Sequence, residues 1–175
     1  MNIYKSTGAA AGIVIGLIIC FIVFKYANTN RKAGTEYDER QREIRGRGYK
    51  AAFYAAMLCE AVFFVLYLGN PALPFEPFMA HAAVIFVSCT VLGCYLIWNG
   101  AYWGLNNNRR RYLLIFGAAL VLNALPVVGT LSHGGLLDGG KLSAVFVNLL
   151  ACLMLLVMGI VMLVRDLLDR RTETE

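Results

Sequence analysis

Charge is scarce in this chain, and over long stretches it is missing. Only 15% of its 175 residues are Asp, Glu, Lys or Arg, against 59% hydrophobic residues, and the mean hydropathy is +0.62. That balance excludes an ordinary soluble domain of this length. Proline is rare as well: three of the 4 stand together at Pro71, Pro74 and Pro77, and the fourth is Pro126. Strand-like alternation is absent from the apolar runs, which favours helices over a membrane β-barrel.

Recognised site chemistry is also missing. The 5 cysteines, Cys20, Cys59, Cys89, Cys94 and Cys152, all fall inside apolar runs. There they serve as small hydrophobes, so neither a disulfide framework nor a reactive thiol is expected. Cys89 and Cys94 lack metal-site spacing. Ser132, His133 and Asp138 fall within seven residues, but no nucleophile elbow or H-E-x-x-H accompanies them. The expectation is therefore a non-enzymatic protein with no metal and no cofactor. No A-x-A-like cleavage site follows the first apolar run, so that run is read as a retained helix. No inverted repeat of the transporter kind is visible.

What is present is a set of five apolar runs, at 9–26, 51–69, 80–103, 112–128 and 142–164. A helix needs about 20 such residues to cross the hydrocarbon core. The expected fold is all-α: one membrane domain over residues 1–175, a polytopic bundle of five transmembrane helices. Lysine and arginine fix its orientation. One precedes the first run, eight lie between Lys25 and Lys50, three are Arg109, Arg110 and Arg111, one is Lys141, and three are Arg165, Arg170 and Arg171. Sides alternate fourteen against two, which places the amino terminus outside and the carboxyl terminus in the cytoplasm. The basic clusters are expected to meet anionic headgroups of the bilayer rather than nucleic acid.

The most informative stretch is 35–69. Thr35 and Asp38 have capping-box spacing, and a charged cytoplasmic helix start follows over 35–50. Glu36–Arg40, Asp38–Arg42 and Glu43–Arg47 are acid-first i,i+4 pairs, each worth about 0.2–0.5 kcal/mol. Gly46 and Gly48 are expected to mark a bend at the membrane surface. Asp38, Glu39, Arg40, Arg42, Arg45 and Arg47 are candidates for contact with lipid or a cytoplasmic partner. The run Asp38-Glu39-Arg40-Gln41, Ile44-Arg45-Gly46, Tyr49-Lys50 and Phe53 resembles the D-E-R-Q-x-x-I-R-G-K-A-x-K-x-x-F signature of small bacterial multi-spanning proteins, with Gly48 in place of the usual alanine. The resemblance covers about sixteen residues. It implies a bacterial inner (cytoplasmic) membrane protein and brings no activity with it.

Glu60 is the only formally charged residue of 51–69. A carboxylate at mid-membrane costs about 2.5–3.5 kcal/mol or more, so it is expected to face the bundle and find a partner. Ala52 and Ala56, on the same side of the helix, form a small-residue packing face. If all runs centre on one plane, the possible partners are Thr90 near that depth, Asn123 slightly outward and Asn148 further outward still, with no lysine, arginine or histidine at that depth. Glu60 is then expected in its neutral form, donating a hydrogen bond. His81 is placed at the outer end of its span, in contact with headgroups or water. Gly8, Gly12 and Gly16 make a row where another backbone can approach, from this chain, a second copy or a second membrane protein. The reading that leads is association through membrane helices, as an accessory or regulatory subunit or a homo-oligomer. The alternative is small-solute or ion handling at Glu60.

Overall fold

In the computed structural model of the chain, residues 3–32, 34–69 and 73–172 are described, and the side chains of residues 3–13, 138 and 172 are not. The described residues form five helices: α1 (Ile3–Ala27), α2 (Glu39–Gly69), α3 (Pro77–Trp98), α4 (Arg109–Ser132) and α5 (Phe146–Thr172). Two short strands, β1 (Leu137–Asp138) and β2 (Lys141–Leu142), pair antiparallel between α4 and α5. Helices α2, α3, α4 and α5 are long and apolar enough to cross a membrane; in α1 the part whose side chains are described, Val14–Ala27, is apolar as well. This is the pattern of a multi-pass membrane protein. At 31 residues, α2 would run to about 46 Å, well beyond the roughly 30 Å of a hydrocarbon core, so its charged start has room to lie outside.

The chain divides into two compact units, Glu39–Tyr102 with Phe116–Glu175, and Met1–Asp38 with Trp103–Ile115. In the larger unit α3 is the central helix, packing against α2 on one side and α5 on the other. Small residues make the close approaches. A Cβ on Gly48 would touch Leu92, Tyr95 and Leu96 at 3.1–3.2 Å, and one on Gly93 would collide with the end of Met158. From α5, Ala151, Leu155, Met158 and Met162 are buried, a four-three-four spacing that lays one stripe along the helix. Without water to drive apolar burial, this kind of fit is what holds membrane helices together.

Several expected boundaries shift. The third apolar run continues to Trp103, but α3 stops at Trp98 with Asn99 at its C-cap. Gly100 adopts φ +69, Gly100 N–H donates to Ile97 O, and Ala101 N–H donates to Leu96 O. Those two bonds define a Schellman motif, which satisfies the last carbonyls and turns the chain. Asn-Gly ends the helix although apolar residues follow.

The capping box at Thr35 does not form, because α2 starts at Glu39 and Asp38 holds the cap position. Glu36 therefore lies outside the helix, where it accepts from Asn30 Nδ2 at 3.0 Å instead of pairing with Arg40. Helix α2 is unbroken through Gly46 and Gly48, and Gly48 is a packing site rather than a bend. The connection from α4 to α5 contains the β1–β2 hairpin. Gly139 (φ +57) and Gly140 (φ +82) supply the two left-handed turn positions that a tight hairpin needs. Leu142 N–H donates to Pro74 O at 2.7 Å and Lys141 Nζ reaches Glu76 at 3.2 Å, tying the hairpin to the α2–α3 connection.

Candidate functional site

One row of α2 leads to the candidate site. Gly48, Ala52, Ala56 and Glu60 recur every four residues, and each step turns the row by about 40° around the helix. Gly48 and Ala52 are buried, Ala56 is half-buried, and Glu60 emerges at the margin of the interface. There its Oε1 stands 3.0 Å from Nδ1 of His81 on α3. The side chains are 42% and 68% exposed, so the pair lies on the surface of the helices and not in their core.

The sequence placed no histidine at this depth, and the structure corrects that. Ending α3 at Trp98 and starting it at Pro77 moves its midpoint about four residues, or roughly 6 Å, toward His81. The three expected partners are engaged elsewhere. Thr90 Oγ1 donates to Phe86 O at 2.7 Å within its own helix. Asn123 Nδ2 donates to Ala119 O at 2.8 Å, and Asn148 Nδ2 donates to Asn123 Oδ1 at 3.2 Å. The two asparagines thus bridge α4 and α5 at a separate place, beside the approach of Cys152 Sγ to Leu120 O.

Chemically, carboxyl and imidazole can share one proton in two ways. An ionised Glu60 accepts from Nδ1–H; a protonated Glu60 donates to a bare Nδ1. One turn along α2, Phe63 lines an apolar cavity of about 190 Å³ with Phe75, Met79, Ala83, Phe146 and Leu150. The pair therefore has an apolar neighbourhood on that side and an open face on the other.

The remaining residues singled out from the sequence lie apart from this pair. Gly8, Gly12 and Gly16 are all within α1; side chains around Gly8 and Gly12 lie outside the described residues, and among the described residues of its unit nothing comes within 4 Å of where a Gly16 Cβ would stand. Glu39, Arg40, Arg42, Arg45 and Arg47 occupy the first turns of α2, with Asp38 just ahead. Arg47 and Glu43 meet at 2.6 Å on an exposed face. Arg45 donates to Tyr49 Oη at 2.9 Å and lies over its ring. Ser132 Oγ and His133 Nδ1 are 3.1 Å apart, each also near Gly129 O; the side chain of Asp138 is outside the described residues.

In the smaller unit the structure reveals a cluster that sequence reasoning missed. Asn28 is fully buried and Asn106 nearly so. Asn28 Nδ2 donates to Lys32 O (2.8 Å) and Gly34 O (3.3 Å), while Oδ1 accepts from Asn107 Nδ2 (2.7 Å) and Tyr112 Oη (3.1 Å). Asn106 Nδ2 donates to Gly34 O and Asn30 Oδ1, and Oδ1 accepts from Glu36 N–H. Thr29 N–H to Asn106 O and Asn108 N–H to Ala27 O complete the join between the two connections. Gly104 admits no side chain, since a Cβ would collide with Thr35 and Glu36. The only sequence signal was the asparagine richness of 28–30 and 106–108 at helix ends.

No protein family matches this chain, and neither does any curated protein or solved structure.

Proposed function

We propose that this is a non-enzymatic protein of the bacterial cytoplasmic membrane that acts by helix–helix association, as an accessory or regulatory subunit or as a homo-oligomer. In this reading it crosses the bilayer five times, amino terminus outside and carboxyl terminus in the cytoplasm, with α1 as the first crossing. The charge alternation supports the orientation, and the resemblance of 38–53 to the bacterial signature supports the origin. The observation that supports the association is at Gly16 in the glycine row of α1: among the described residues of its own unit, nothing stands within 4 Å of where a Gly16 Cβ would lie, and Val14, Ile15, Leu17 and Ile18 around it are exposed. In lipid, such a groove admits a second backbone at close range. Mass photometry in nanodiscs tests it. Wild type should assemble with itself or a membrane partner and Gly16→Leu should disperse the assembly; an unchanged mass distribution contradicts the reading.

A second reading has its own support. Glu60 and His81 are exposed on the helices, and ionisable groups facing hydrocarbon are costly unless water, a solute or a partner covers them. In this alternative the pair binds a proton, a cation or a small polar solute. A Glu60→Gln variant should then lose pH-dependent flux or binding in proteoliposomes, and unchanged behaviour removes the alternative.

A further inference from the structure

A second cavity, in the smaller unit, gathers positive charge, and none of the described residues that line it is a carboxylate. Ile22, Lys25, Tyr26, Arg31 and Arg111 line an open cavity of about 390 Å³. Lys25 and Tyr26 come from the last turn of α1, Arg31 from the connection after it, and Arg111 from the first turn of α4. The asparagine cluster holds these pieces together. Asn108 Oδ1 accepts from Arg111 N–H at 3.2 Å, while Arg111 Nη1 donates to Tyr26 O at 3.0 Å with its guanidinium 5.1 Å over the Tyr26 ring.

Two features of this arrangement are unfavourable for the chain alone. Arg111 follows Arg109 and Arg110 in the first turn of α4, where the helix dipole repels cations. Arg31 has φ +54, the only positive φ at a non-glycine among the described residues, a left-handed conformation that is unfavourable for a residue with a Cβ. An anion seated among the three cations offsets the first of these. The surroundings specify its source. Ile22 continues an exposed apolar helix surface through Ile18 and Ile19, and Tyr26 is exposed at its end, the arrangement of a headgroup-level aromatic belt.

We propose that this cleft binds the phosphodiester group of an anionic membrane lipid, held by Lys25, Arg31 and Arg111, with an acyl chain running along Ile22. It rests on the membrane reading above and not on the association. The test uses the full chain in nanodiscs of equal parts phosphatidylglycerol and phosphatidylcholine, with retained lipids counted by native mass spectrometry. Wild type should retain phosphatidylglycerol preferentially, and each cation replaced should lower that preference roughly fivefold. Lys25→Gln/Arg31→Gln/Arg111→Gln should abolish it, whereas Arg40→Gln/Arg42→Gln/Arg47→Gln, with the same charge change at a merely headgroup-facing segment, should lower it far less. The single variant Arg31→Gln, outside every helix, serves if the triple variant loses its helicity. Undiminished preference in the cleft variants, or equal loss in both triple variants, overturns the proposal. So does displacement of the lipid by inorganic phosphate, which would make the site one for free phosphate. A chain that fails to insert would overturn the membrane reading as well; one that inserts without preference overturns this proposal alone.

Discussion

The asparagine cluster and the Glu60–His81 pair treat polarity in opposite ways. Asn28 uses both amide hydrogens and both oxygen acceptor positions inside the protein, and is fully buried. Glu60 and His81 make one contact and leave the rest of their capacity facing outward. A neutral amide can be buried cheaply once every position is matched. An ionisable pair with unused capacity would be costly to keep wherever hydrocarbon surrounds it. The first arrangement joins two connections of the smaller unit; the second, together with Gly16, is where the proposed functions would place an outside partner.

The sharpest way to break this contrast is to empty the matched site. Asn28→Ala removes four hydrogen bonds and strands their partners, and should lower unfolding stability by about 3–4 kcal/mol, read by steric trapping or denaturant titration in detergent. Gly104→Ala leaves the amides in place but forces Thr35 and the Glu36 carbonyl apart. Its expected cost is about 2 kcal/mol in the same assay. The smallest effect belongs to the Asn148–Asn123 bond between α4 and α5. Asn148→Leu should cost about 0.6 kcal/mol, since side-chain bonds between membrane helices average near that value. A larger loss at Asn148 than at Asn28 would invert the comparison.

The helices were legible because hydropathy over some twenty residues is a strong, local signal; every apolar run contains a helix. Ends were less so. Asn99-Gly100 carried the stop of α3, but Ala101, Tyr102 and Trp103 prolonged the apolar run past it. That misplaced end displaced the depth scale and hid His81 from Glu60. The asparagine cluster was out of reach for a different reason. Asn28 and Asn107 are 79 residues apart, and no periodicity within either segment announces that the two will pair. Conversely, Glu60 stood out from sequence alone, because a single charge in a nineteen-residue apolar run needs no partner to be visible.

The central claim is that α1 presents its glycine face to another membrane helix. Photo-cross-linking in intact membranes tests it directly, with a reactive side chain at position 16 or at position 18, about 200° around the helix. The account predicts a discrete adduct from position 16, with a second copy or one membrane protein, and none from position 18. Equal labelling from both positions, or lipid adducts alone, would contradict it and leave Glu60 and His81 as the remaining place to look for function.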